Sequence, residues 1–116
     1  MTKYKVIFHI DENRKWKLLL ANVSNLLDAI DGESYDVEIV ANSEAVKYYD
    51  TGQNLDSDVK TMNELKEKGV KFAACNNALK ANNIEKNHII DYVKIVPAGV
   101  LELVEKQSAG YAYIKP

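Results

Sequence analysis

Gly69-Val70-Lys71-Phe72-Ala73-Ala74-Cys75-Asn76-Asn77-Ala78-Leu79-Lys80 is the stretch that decides the fold. Its first half is an apolar run of strand length and its second half is helix-compatible, with the junction at Cys75, the only cysteine in the chain. A strand feeding a helix is the start of a β-α unit, and in an open α/β sheet ligands bind beside the carboxyl ends of the strands. The thiol stands at such an end. It also stands at the amino end of a helix, where exposed N–H groups and the helix dipole favour a thiolate.

The same alternation extends in both directions. Upstream, Tyr4 to His9 is a near-continuous apolar run of the kind buried on both faces of a sheet. From Asn13 to about Ile30, Trp16, Leu19, Leu20, Val23, Leu26, Leu27 and Ile30 recur at three- and four-residue spacing and give one helix an apolar stripe, ended by Asp31-Gly32. Tyr35 to Ala41 predicts a second strand, stopped by Asn42-Ser43, with Ser43 as cap of a short helix through Tyr49. Asp56-Ser57-Asp58 supplies capping oxygens for a helix bearing Val59, Met62 and Leu65, closed by Gly69.

Downstream, Asn76 to about Ala81 is a short helix and Tyr92 to Val96 a fourth strand, terminated by Pro97. Pro97-Ala98-Gly99 opens a helix with Val100, Leu101, Leu103 and Val104, ended at Gly110, and Tyr111 to Ile114 is a last short strand. Strands alternating with helices imply right-handed crossovers, a mainly parallel sheet of about five strands, and helices on both faces. The expected fold is a three-layer α/β/α sandwich, in one domain over residues 1–116.

Composition narrows the function. The 116 residues are 47% hydrophobic and 28% charged, with 15 basic and 17 acidic residues interleaved and a formal charge of −2, so no footprint for nucleic acid or an anionic membrane is expected. The amino terminus is too short in apolar length for a signal peptide and too interrupted for a membrane span, which predicts a soluble, cytoplasmic protein. A single cysteine excludes an internal disulfide framework, and without Cys or His clusters neither a zinc site nor another metal site is expected. No glycine-rich phosphate fingerprint follows the first strand, where His9-Ile10-Asp11-Glu12 lies instead, so a dinucleotide site is not expected and no cofactor is implied.

A parallel sheet brings the carboxyl ends of its strands to one edge. Here they deliver His9, Asn42, Cys75 and the Pro97-Ala98-Gly99 turn, and these, with Asn76 and Asn77, are the candidate site.

The stretch from Gly69 to Lys80 resembles the cysteine motif of the DsrE/DsrF-like family. The tail, Val96-Pro97-Ala98-Gly99-Val100-Leu101-Glu102-Leu103-Val104 with Gln107 to Pro116, resembles the end of a single-domain, single-cysteine branch of it, as do Val6-Ile7-Phe8-His9 and Val40-Ala41-Asn42. The resemblance implies a three-layer α/β/α fold, assembly into homotrimers or homohexamers, and, at Cys75, a cysteine of the kind that carries sulfur as a persulfide between donor and acceptor proteins. With no second cysteine, a persulfide formed here can be passed on but not resolved within the chain.

Two functions follow. In the first, a sulfurtransferase-like carrier, Cys75 accepts the sulfur, His9 takes the thiol proton or pairs with the thiolate, and Asn42, Asn76, Asn77 and Gly99 line the ligand site. In the second, an oligomeric, non-enzymatic protein binds a small molecule and Cys75 merely lines the pocket. His88, in a polar loop, reads as a surface residue, and Asp11 and Glu12 as a solvated loop. Tyr48-Tyr49 and the tail tyrosines Tyr111 and Tyr113 border loops, and tyrosine is favoured at interfaces. They predict a homo-oligomer, with the loop from Tyr48 to Leu55 near a neighbour's site.

Overall fold

The computed structural model describes residues 2–52 and 56–116. Five parallel strands form one sheet, β1 (Tyr4–Ile10), β2 (Tyr35–Ala41), β3 (Lys71–Cys75), β4 (Val93–Val96) and β5 (Ala112–Ile114), in the order β4-β3-β2-β1-β5. The helices between them are α1 (Trp16–Ala29), α2 (Asp56–Glu67), α3 (Asn76–Ala81) and α4 (Gly99–Ser108). The α/β class, the strand count and the parallel sense are as the sequence predicts.

Topology explains the layers. From β1 to β4 the chain steps along the sheet in one direction, and the buried residues of α1, α2 and α3 share one core with Phe8, Ile39 and Phe72 on one face. The step from β4 to β5 runs the other way, past β3, β2 and β1, and its helix α4 lies on the opposite face, where Leu103 packs with Ile7, Val40, Ala73 and Val96. Right-handed crossovers stepping in opposite directions require helices on opposite faces. At β3 the chain therefore leaves for one face and at the adjacent β4 for the other, the divergence at which open α/β sheets place their ligand crevice.

Local chemistry sets the boundaries. Gly69 and Gly110, with φ of 95° each, turn the chain out of α2 and α4, a conformation that a side chain disfavours. The segment Asn13 to Lys15 is a 3-10 turn, so the first α-helix starts at Trp16, later than the apolar stripe alone suggests. Residues Ser43–Tyr49 also form a 3-10 helix, with Asn42 at its amino end and no side-chain cap. The expected Ser43 cap is thus corrected: Ser43 takes φ 52°, in the left-handed region that costs about 1 kcal/mol, and its carbonyl accepts a bond from Asn82 Nδ2 at 3.1 Å. The capping expected of Asp56-Ser57-Asp58 lies outside the described side chains.

Tyr48 and Tyr49 are buried in the core of the chain itself. Tyr48 stacks on Trp16 with centroids 4.5 Å apart, and fully buried Tyr49 donates its hydroxyl to Ala73 O at 3.1 Å. The remainder of the loop expected to meet a neighbour, Gln53 to Leu55, lies outside the described residues. Among the described residues no helix is long and apolar enough to cross a membrane.

Candidate functional site

Asn42 is the best anchored of the predicted residues. Its N–H donates to Ile10 O at 3.0 Å and its carbonyl accepts from Ala45 N at 3.1 Å, so the end of β2 is tied to the end of β1 and to the following 3-10 turn. That turn is fixed in its middle, where Trp16 Nε1 donates to Ala45 O at 2.9 Å. The side chain of Asn42 is therefore presented at the sheet edge by a rigid frame.

His9, at the end of β1 and half-buried, faces the same edge. Its Nε2 lies 3.0 Å from Asn42 Oδ1 and its Nδ1 lies 2.6 Å from Tyr113 Oη. A carbonyl oxygen only accepts, so Nε2 carries a proton, and in the neutral ring the Tyr113 hydroxyl donates to Nδ1. Both ring nitrogens are engaged, and among the described residues no hydrogen bond joins His9 to Cys75. The imidazole reaches the thiol's surroundings through Asn42.

Cys75 ends β3 and stands at the amino end of α3, 7% exposed. Gly99, the first residue of α4, closes the crevice from the β4 side. A Cβ added there would lie 3.2 Å from Asn42 Cβ, 3.2 Å from Cys75 Cβ and 3.5 Å from Asn42 Nδ2. A side chain at this position would have to displace its neighbours by a few tenths of an ångström, because the start of α4 meets two side chains closely. Three of the predicted residues, Asn42, Cys75 and Gly99, thus meet at one point and His9 joins them through Asn42. Asn76 is half-buried beside them, and its Oδ1 is buried without a hydrogen-bond partner among the described residues. An unmet buried acceptor costs about 1–3 kcal/mol. Asn77 is exposed on the first turn of α3, and among the described residues no hydrogen bond joins it to the other five.

The profile of the DsrE/DsrF-like family matches residues 4–116. The chain belongs to that family. It is 35% identical to the protein of unknown function MTH1491 from Methanobacterium thermoautotrophicum, with a TM-score of 0.86 over 98% of this chain and all of that one. The YchN protein of E. coli, 17% identical, superposes over the whole of both chains with a TM-score of 0.76, a likeness of fold. No curated protein matches this DsrE/DsrF-like chain.

Tyr113 is the residue that sequence reading missed. The tail tyrosines are similar in pattern, yet they do different things: Tyr111 donates to Asp36 Oδ2 while Tyr113 holds His9. The signal lay in register, since Tyr113 pairs with Ile7, two residues before His9 on the same face. That register requires the strand order, with β5 beside β1. The acidic loop after β1 is explained by ion pairs. Asp11 meets Lys115 at 3.4 Å, and Glu12 meets Lys15 at 3.1 Å and Arg14 at 3.0 Å.

Among the described residues no cluster of three or more His, Cys, Asp or Glu side chains suits a metal ion. What the edge offers chemically is one thiol, an amide held by an imidazole, and the backbone at the start of two helices.

Proposed function

We propose that this chain handles sulfur, with Cys75 accepting a sulfane sulfur and holding it as a persulfide. The observation that carries the reading is the position of the single thiol at the carboxyl end of β3, against Gly99 and Asn42, in a chain of this family. In the loading step the Cys75 thiolate attacks the sulfane sulfur of a persulfide or polysulfide donor. A new S–S bond forms, the donor's S–S bond breaks, and the donor leaves as a thiolate, reduced as Cys75 is oxidised. Delivery is the same exchange directed at an acceptor.

The remaining residues hold and orient. With Oδ1 of Asn42 occupied by His9, the amide nitrogen lies on the Gly99 side, where it donates to the charge on the attacking or departing sulfur. His9, steadied by Tyr113, is then a positioning residue for that amide, and Asn76 and Asn77 add amide groups at the start of α3. A thiol in this role belongs in a reducing compartment, the cytoplasm.

The functional unit is a homo-oligomer, trimer or hexamer, served by separate donor and acceptor proteins. Its support is the apolar outer face of α4, where Val100, Leu101 and Val104 are exposed, together with Ile114 of the edge strand β5.

A non-enzymatic binding protein is the second reading. Burial of Cys75 and the engagement of both His9 nitrogens favour it, since among the described residues no side-chain base is bonded to the thiol. Release separates the two. After exposure to polysulfide and desalting, a carrier yields hydrosulfide on addition of dithiothreitol and Cys75→Ser does not; a binding protein yields the same trace from both.

A further inference from the structure

Glu38 is out of place in β2. Its neighbours Val37, Ile39 and Val40 are fully buried, and Glu38 itself is 5% exposed, on the sheet face that α4 covers. A buried carboxyl is costly unless it is partnered. Its Oε1 lies 3.7 Å from Lys106 Nζ and the carboxyl meets that of Glu102, while Oε2 makes no other hydrogen bond among the described residues.

The carboxyl lines a cavity of about 480 Å³, within the roughly 300–1,000 Å³ typical of small-molecule sites. Four lysines line it as well: Lys66 from α2, Lys71 from β3, Lys94 from β4 and Lys106 from the last turn of α4. Three of them have partners. Lys71 meets Asp36 at 3.3 Å, Lys106 meets Glu38, and Lys66 sits over the Tyr92 ring and 4.0 Å from Glu67. Lys94 makes none of the ion pairs found among the described residues. In a chain of net negative charge, this concentration of ammonium groups around one concavity is local and directed.

The cavity is separate from the thiol crevice. Lys71 begins β3 and Cys75 ends it, about 13 Å apart at the rise of an extended strand.

We propose that this cavity binds a small molecule through a compact oxyanion, a carboxylate or a phosphate, held by Lys71, Lys94 and Lys106 with Glu38 at its floor. Lysine suits the task as a strongly hydrated point charge with three donors. Burial, and then the neighbouring Glu102, push the Glu38 carboxyl up to about 8, against the pull of Lys106 and Lys94, which favours its protonated form near neutral pH. A protonated carboxyl adds a donor for the same oxyanion, where a carboxylate would repel it.

The test is an NMR titration of the ¹⁵N-labelled protein with inorganic phosphate and, separately, with acetate at constant ionic strength. Saturable shifts at the amides of Lys71, Ala73 and Lys94 are expected from at least one anion, and the tighter of the two assigns phosphate or carboxylate. Lys94→Ala, at an exposed position, should weaken the apparent Kd about tenfold, whereas Lys17→Ala, an exposed lysine of α1, should leave it unchanged. Glu38→Gln, a neutral donor, should keep binding at pH 9, where the wild type loses it. Absence of saturable shifts with both anions, or an equal loss in Lys94→Ala and Lys17→Ala, overturns the proposal.

Discussion

His9 Nε2 and Asn42 Oδ1 lie 3.0 Å apart, joining the ends of two adjacent strands and fixing which way the Asn42 amide faces. Because the oxygen is turned to His9, the nitrogen is left on the side of Gly99 and Cys75. The imidazole therefore acts on the crevice at one remove.

Asn42→Ala deletes this link and leaves Nε2 without its acceptor. It should lower stability by about 1 kcal/mol in urea unfolding and slow sulfur loading. Tyr113→Phe removes the donor to Nδ1 at an exposed position and should cost less, about 0.5 kcal/mol, while slowing loading in the same direction. If loading is unchanged in both variants, His9 and Asn42 have no part in the chemistry.

Gly99→Ala tests the closeness of the crevice. A methyl group gains helix propensity, yet here it meets Asn42 Cβ and Cys75 Cβ at 3.2 Å, tighter than ordinary contact. Overpacking of this kind costs about 1–3 kcal/mol, so thermal unfolding should begin several degrees lower and access of an alkylating reagent to Cys75 should change. An unaltered unfolding curve would mean that α4 shifts freely at its first turn.

The buried carboxyl pair makes stability depend on pH. Glu38 is pushed up to about 8, first by burial and then by Glu102, against Lys106 and Lys94; Asp36, Tyr111 and Tyr49 lie in the same charged neighbourhood. A raised carboxyl favours the folded state while it is protonated. The contribution is complete below the ordinary glutamate range and is lost as pH rises towards and through 8, a fall on the order of 5 kcal/mol. Glu38→Gln should flatten urea-denaturation stability between pH 5 and about 8.5, and a wild-type profile flat over that range would contradict the assignment.

Assembly is tested at α4. Leu101 and Val104 are 50% and 58% exposed, and a carboxylate placed among them is incompatible with burial against another chain. Light scattering should report an oligomer for the wild type and a monomer for Leu101→Asp/Val104→Asp, with the circular dichroism spectrum retained. A monomeric wild type would leave the face without the partner given to it here.

The strand-helix alternation was legible because fully buried parallel strands are nearly continuous apolar runs, as in Val6-Ile7-Phe8 and Phe72-Ala73-Ala74, and the helices carry stripes of a different period. The edge that collects His9, Asn42, Cys75 and Gly99 followed from the parallel sense alone. What was hidden depended on strand order and side-chain direction. Tyr113 reaches His9 only because β5 returns to the side of β1, and Tyr48 and Tyr49 turn inward because Trp16 offers them a ring and Ala73 a carbonyl. Glu38 carries no signal of its own in the sequence, and its burial depends on which strand α4 crosses, which the strand order decides.

Uptake of sulfur by Cys75 is read from the intact mass of the folded protein after incubation with polysulfide. A dithiothreitol-reversible gain of about 32 Da, one persulfide sulfur, is predicted for the wild type and not for Cys75→Ser. An unchanged wild-type mass, or an equal gain in Cys75→Ser, would contradict the account.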